Sequence, residues 1–370
     1  MNQPISTPLN PAACVWLAEA QSSQRDMLQS LQGLKVQYPN QPLSIIASHR
    51  SSRPEIFEFA DHYFYEPAED NSGSSSRWQY VLDQAQQHHV KVLLTGRNSI
   101  DYEAQRYLFN KANIRLLTGA QDVQMLQKID DKFAFIQHCQ QHDIPVATGW
   151  RFENLRQLHQ LFAKHHNQSL CVKPVSGIFA QGFWRLDTGK TLDNSYDSFE
   201  HLYFTDNRKI NAEQFLIAYA KSEMVQKRPI PMLLMPYLSG QEYSIDVVCE
   251  RGEVLAAITR HKVGKVQHIG YDEEVMAVVI PLIQAFGCDG IVSVQTKADD
   301  AGVHHVLEIN SRPSGGIGYT KHCGVDLTQI AFAYWLGWTD KPVLAEVAKQ
   351  IQPCQVRSIM VSVKLDGVAE

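Results

Sequence analysis

Residues 292–316 read VSVQTKADDAGVHHVLEINSRPSGG. Two alternating runs flank the polar DDAG, the pattern of a β-hairpin with a four-residue loop. On the second run Glu308 and Asn310 are two positions apart and share one strand face. A symmetric loop sets Gln295 of the first run across from Glu308, and directly opposed residues have Cβ atoms about 5 Å apart. Three side-chain oxygens then converge at one strand edge, with Arg312 beside them before Pro313, Gly315 and Gly316 turn the chain. Oxygen donors with so few charges suit Mg2+, which completes its shell with waters and phosphate oxygens. By itself the hairpin reads equally well as a solvated strand face carrying an Arg–Glu pair.

Outward from this hairpin the chain has two textures. Up to residue 118, ACVWLA (13–18), LSIIAS (43–48), VKVLLTG (90–96) and NIRLLTG (113–119) are continuous apolar runs. Such runs are expected of parallel strands covered on both faces. Helical patterns at 76–89 and 99–111 separate them, so an N-terminal doubly wound α/β domain is predicted. No GxGxxG follows a strand, which leaves a dinucleotide fold unsupported. EDNSGSSS (69–76) reads as a polar loop, and Tyr63 and Tyr65 read as strand packing. From about 120 the pattern changes to α+β. Val123, Leu126, Ile129, Phe133 and Ile136 form one helical stripe ending before Pro145. Short strands follow at 169–174, 183–187, 232–238, 242–250, 253–262, 291–296 and 303–310, with helices at 272–286 and 326–336 and a last strand at 356–365. Residues 188–230 read as polar and irregular with helical patches. Domains are therefore expected at 1–118, at 119–340 with a smaller subdomain at about 146–238, and at 341–370.

Composition narrows the classes. The 370 residues are 44% apolar and 20% charged with a formal charge of −5, ordinary for a globular chain. Lysine and arginine are scattered, so nucleic-acid binding has no support. No apolar run reaches the roughly 18 residues of a membrane span, and MNQPISTPLN lacks the features of a signal peptide. Seven isolated cysteines without a CxxC point to reduced thiols in a cytoplasmic protein. The adjacent pairs His88–His89 and His304–His305 diverge in direction and make poor metal sites.

Two further stretches carry chemistry. In VKPVSGIFAQGFW (172–184) a lysine ends a strand and a loop with Gly177 and Gly182 follows, one way of cradling polyphosphate. Alone it is more often a plain turn, and Lys132 alone is a surface lysine. In LLMPYLSGQEYSID (233–246) a strand reaches a tight SG turn and an acid opens the next strand. Taken in order, the three stretches resemble the ATP-grasp superfamily, which includes D-alanine–D-alanine ligase, biotin carboxylase and the synthetase units of carbamoyl phosphate synthetase. The resemblance covers nearly the whole chain and implies an α/β pre-ATP-grasp domain followed by two subdomains that clamp ATP.

The resemblance also implies roles. Lys132 and Lys173 would contact ATP phosphates, and 176–182, with Ser176, Gly177 and Gly182, would be the loop closing over them. Met235, Pro236, Tyr237 and Leu238 would be the adenine-reading hinge, through the Pro236 carbonyl and the Leu238 N–H. Glu242 would bind ribose. Gln295, Glu308 and Asn310 would hold the metal, and Arg312 would face the γ-phosphate. Arg260, Lys262 and Lys265 stand where relatives keep a phosphate-binding cation, with no means of choosing among them. Departures are Met235, where an acid is frequent, Gln295, acidic in many relatives, and Ser293, where the D-alanine ligase type has arginine. The implied activity is an ATP- and Mg2+- (or Mn2+-) dependent ligase joining a small carboxylate to an amine or thiol, with ADP and phosphate released. Partners would be those small molecules and a second copy in a homodimer, with neither nucleic acid nor membrane. A kinase and a non-catalytic ATP sensor are the alternatives.

Overall fold

A computed structural model describes residues 13–19, 24–51, 53–67, 77–177, 181–187, 208–225, 230–360 and 362. The chain divides into two compact units: Met1–Gln127 with Glu242–Thr296 and Ile309–Glu370, and Lys128–Gln241 with Lys297–Glu308.

The first unit opens with a parallel sheet of β1 (Ala13–Ala18), β2 (Leu43–His49), β3 (His62–Tyr65), β4 (Val90–Leu94) and β5 (Arg115–Leu117), ordered β3-β2-β1-β4-β5. The continuous apolar runs follow from burial on both faces. Val15 and Leu17 enter one core cluster with Met27, Leu28, Leu31 and Leu34 of the helix Gln24–Gln37. Cys14, Trp16 and Ala18 point the other way, into a cluster with Phe64, Val81 and Phe109. Each fully buried large side chain contributes about 2 kcal/mol. His88 is also in the interior, its ring 5.1 Å from that of Phe64. The expected helix at 99–111 is two, Ser99–Glu103 and Arg106–Lys111. β6 (Gly119–Ala120) leaves this sheet for another strand, described below.

The second unit holds β7 (Trp150–Phe152), β8 (Leu170–Pro174), β9 (Trp184–Asp187), β10 (Lys209–Asn211) and β11 (Met232–Pro236), ordered β10-β9-β8-β11-β7. Phe152, Leu158, Leu170, Val172, Phe215 and Leu234 form its core. Of the segment read as irregular, β10 and the helix Ala212–Val225 are described, and 188–207 and 226–229 lie outside the described residues.

β12 (Glu242–Glu250), β13 (Glu253–Val263), β14 (Val266–Gly270), β15 (Cys288–Ala298), β16 (His304–Asn310) and β17 (Cys354–Val356) run β16-β15-β12-β13-β14-β17, with β6 pairing to β15. The helices Glu273–Ala285 and Leu327–Trp335 stand where the periodicity puts them.

Three expectations are corrected. The 123–136 stripe is two helices, Val123–Asp130 and Lys132–Gln141, because Asp131 turns extended and caps the second. Its Oδ1 accepts from the N–H groups of Phe133 and Ala134, both at 2.9 Å. Among the described residues the last strand is Cys354–Val356, and 357–360 and 362 of the expected 356–365 are not in a strand. Val356 pairs with Gln267, one residue from the start of β14, so no partner strand extends beyond it; residues 361 and 363–365 lie outside the description. The hairpin loop has three residues, not four. Asp299 N–H donates to Val303 O at 2.9 Å and Gly302 N–H to Asp299 O at 3.1 Å, with Gly302 at φ 85°. A left-handed glycine closing a three-residue loop is a bulged hairpin. The pairing of Gln295 against Glu308 that rested on a four-residue loop therefore loses its premise.

Candidate active site

In the second unit the two lysines meet at one strand end. Lys132 opens its helix, where a cation opposes the positive helix terminus. It is held there by its N–H to Val175 O, 3.0 Å, and its Nζ to Gly177 O, 2.8 Å. Lys173 lies on β8, paired with Leu233 of β11. Burial pushes its ammonium below the ordinary 10.5; Glu308 opposes that shift and Lys132 adds to it. Two ammonium groups and a carboxylate thus share one electrostatic neighbourhood beside a glycine loop. Gly177 (φ 136°) has open space where a side chain would be. Gly182 (φ 69°) does not: a Cβ there would lie 2.7 Å from Pro174 Cγ. Ser176 is exposed, and residues 178–180 of the loop lie outside the description.

The segment 235–238, expected to read adenine, spans the end of β11 and the residues after it. Met235 is buried, so its side chain packs. Pro236 pairs with Leu170, and the Cys171 thiol lies 3.8 Å from the Pro236 carbonyl. Tyr237 N–H donates to Ser169 O at 2.8 Å. The Tyr237 ring has the Arg185 guanidinium 4.3 Å and the Lys297 ammonium 5.0 Å from its centre. The half-buried Leu238 follows. At the SG turn, Ser239 Oγ bonds the Asp300 carboxylate and Gly240 N–H donates to Ala298 O at 3.0 Å. A Cβ on Gly240 would sit 2.7 Å from that oxygen. The dipeptide is thus a close backbone approach to the hairpin tip.

In the first unit Ser244 opposes Arg260 and Tyr243 opposes His261. Strand alternation puts Glu242, Ser244, Asp246, Arg260 and Lys262 on one face, and Tyr243 and His261 on the other. Arg260 is 6% exposed and Asp246 fully buried. Arg260 Nε donates to Asp246 Oδ2 at 2.8 Å, and Nη2 donates to Ser314 Oγ at 2.8 Å. Ser314 Oγ in turn accepts the Gly316 N–H at 3.1 Å. A Cβ on Gly316 would stand 2.5 Å from Arg260 Nη1, so a side chain there would have to displace the guanidinium. This distinguishes the three basic residues. Arg260 is spent inside the protein on the Pro313–Gly316 turn, while Lys262 and Lys265 are exposed. Gln295 lies on β15 and Glu308 and Asn310 on the neighbouring β16, all half-buried, with Arg312 half-buried just past the strand. Sequence reasoning missed Asp246, Ser314, Arg185 and Lys297. Asp246 had a signal, its even spacing from Glu242 along one strand; the others are met only through folding.

Residues 228–359 match the sequence model of a family described as "ATP-grasp in the biosynthetic pathway with Ter operon". Among solved structures, the ADP complex of N5-carboxyaminoimidazole ribonucleotide synthetase superposes with TM-score 0.65 at 15% identity, over 95% of this chain and 82% of that one. The biotin carboxylase domain of a Hydrogenobacter thermophilus 2-oxoglutarate carboxylase, solved with MgADP and bicarbonate, gives 0.61 at 14%, over 92% and 72%. An L-amino acid ligase from Bacillus licheniformis gives 0.61 at 13%, over 93% and 78%. Parallel sheet and antiparallel sheets thus give the chain the fold of these structures over nearly its whole length, and its residues 228–359 match an ATP-grasp family model.

Proposed function

We propose that the chain is an ATP-dependent ligase that activates a carboxylate as an acyl-phosphate and joins it to an amine. The observation that carries this is the coupling of Lys132, Lys173 and Glu308 beside Gly177. Two partly buried ammonium groups in one electrostatic neighbourhood favour the arrival of anionic charge, and polyphosphate supplies such charge. The kinds of protein named for the neighbouring structures, a ribonucleotide synthetase, a biotin carboxylase and an amino acid ligase, support the reading.

In this scheme a carboxylate oxygen attacks the γ-phosphorus, the β–γ bridge breaks and ADP leaves. The amine nitrogen then attacks the acyl carbon, phosphate departs with its electron pair, and the nitrogen loses a proton. The chain's contribution is positioning and charge rather than covalent catalysis. Lys132 and Lys173 hold phosphate oxygens, with Ser176, Gly177 and Gly182 framing the loop. The backbone from Met235 to Leu238 receives adenine, with the Tyr237 ring steadied by Arg185 and Lys297. Glu242 binds ribose hydroxyls. Arg312 faces the transferred phosphoryl group, Lys262 or Lys265 adds a second cation, and Arg260 acts as a positioning residue for the turn that follows Arg312.

Gln295, Glu308 and Asn310 would hold Mg2+ or Mn2+. Among the described residues no three His, Cys, Asp or Glu side chains converge. A donor set of one carboxylate and two amides fits a hard cation that keeps water and phosphate in its shell. When bound, it would offset the repulsion between β- and γ-phosphates. Among the described residues no helix is long and apolar enough to cross a membrane.

The test is product analysis across a panel of small carboxylates and amines with Mg·ATP. The ligase yields ADP and free phosphate in equal amounts, only with both substrates present, and hydroxylamine in place of the amine yields a hydroxamate. ADP with a stable phosphorylated product marks a kinase. AMP with pyrophosphate, or no turnover with any pair, overturns the proposal.

A further inference from the structure

The face of β12–β14 opposite Arg260 and Lys262 carries a cleft of about 360 Å3, lined by Tyr243, His261, His268, Tyr271, Asp272 and Gln355 among others. That volume falls in the range of small-molecule sites, roughly 300–1,000 Å3. Register builds the wall: Tyr243 pairs with His261, His261 with His268, and His268 with Gln355, one row across four strands. Ring centroids are 4.7 Å apart for Tyr243–His261 and 4.9 Å for His261–His268, the two imidazoles nearly parallel at 12°. Gly270, without a side chain, keeps the cleft open between the row and Pro353.

Charge on this wall has one sign. Among the described residues no lysine or arginine lines the cleft, and Asp272 is the one carboxylate that does. Asp272 caps the helix Glu273–Ala285 by accepting from Val275 N–H at 3.1 Å, and it also accepts from the Tyr243 hydroxyl. Glu273 and Glu274 follow it and lie close enough to act on Tyr271 and Tyr243 respectively. Aromatic rings beside a fixed carboxylate attract cations and gain nothing from anions. We propose that this cleft binds a small organic cation, an ammonium or guanidinium on a short aliphatic stem. It is a second site, on the face of the sheet turned away from Arg260 and Lys262.

The titratable groups facing the row are Tyr243 from β12, His268 from β14, Tyr271 and Asp272 from the helix start, and Cys354 from β17. Burial first, then His268, holds His261 below its ordinary value, against the pull of Asp272. A neutral His261 imidazole admits a cation, whereas a protonated one repels it, so binding weakens as the pH falls through the lowered His261 value.

The test titrates the full-length chain with n-butylammonium and n-butylguanidinium, with n-butanol and butyrate as neutral and anionic controls. Calorimetry reads the affinity and NMR reads the histidine ring protons. Expected are binding of both cations, shifts of the His261 and His268 signals, and weaker binding in mild acid. Asp272→Asn, which retains capping ability, weakens binding about tenfold or more, and His268→Leu, on a partly exposed strand, weakens it independently. Absence of cation binding, equal binding of n-butanol or butyrate, or unchanged affinity in both variants overturns the proposal.

Discussion

Asp246→Ala removes one half of a pair in which Asp246 is fully buried and Arg260 is 6% exposed. The guanidinium left behind keeps its 2.8 Å bond to Ser314 but loses its counter-charge. Breaking a buried pair from one side costs about 3–5 kcal/mol, because a desolvated charge is left unmatched. Replacing both partners with apolar residues of similar size costs far less. Urea unfolding followed by tryptophan fluorescence should show Asp246→Ala and Arg260→Met each strongly destabilised. The double variant Asp246→Leu/Arg260→Met should lie closer to the parent than the two losses added, a coupling of about 2 kcal/mol or more. Function should not be rescued in parallel. Without Arg260, Ser314 and the Gly316 N–H lose their anchor, so ATP turnover in the double variant should fall more in kcat than in KM. Near-parental stability of both single variants, or strictly additive losses, would refute the assignment of Arg260 as a buried anchor.

Mg·ATP should raise the thermal midpoint of the parent, since a ligand that binds only the folded state stabilises it. Glu308→Gln should lose the part of that gain that depends on Mg2+, and equal protection with and without metal in both proteins would exclude the metal assignment. Lys173 has its folded-state value lowered below 10.5, so between that lowered value and 10.5 the unfolded chain binds more protons and stability rises with pH. Bound polyphosphate requires the charged form, so ATP affinity should fall as pH rises through the lowered value, and Lys173→Arg should flatten this profile in direct binding measurements. Gly182→Ala places a Cβ 2.7 Å from Pro174 at φ 69°; a loss of about 1–3 kcal/mol in chemical denaturation is expected.

The strands of the parallel sheet were legible because both of their faces are buried, and Val15 and Trp16 must then both be apolar. Lys132, Lys173, the segment 235–238 and the Glu308–Asn310 pair of β16 could be picked out as residue types at spacings, and their roles belong to the proposed function. Local geometry was less so. Asp131 breaks a stripe that periodicity carries straight through, because a cap is a choice between two hydrogen-bond partners for the same N–H groups. The hairpin loop was misjudged by one residue, because Gly302 alone tolerates the left-handed turn that closes it.

Order along the chain by itself determined which polar residue types stand at which spacings: Lys132, Lys173, Glu308 and Asn310 are what they are before folding. Only the tertiary structure decided which charges are available. Arg260 and Lys262 are two residues apart on one strand face, yet the first is buried against Asp246 and Ser314 and the second is exposed. The same holds for His261 and His268, unremarkable as letters, which a four-strand register turns into the wall of a cleft. Alternation along a strand is local and can be counted; desolvation is set by what distant segments bring to that face, and it cannot.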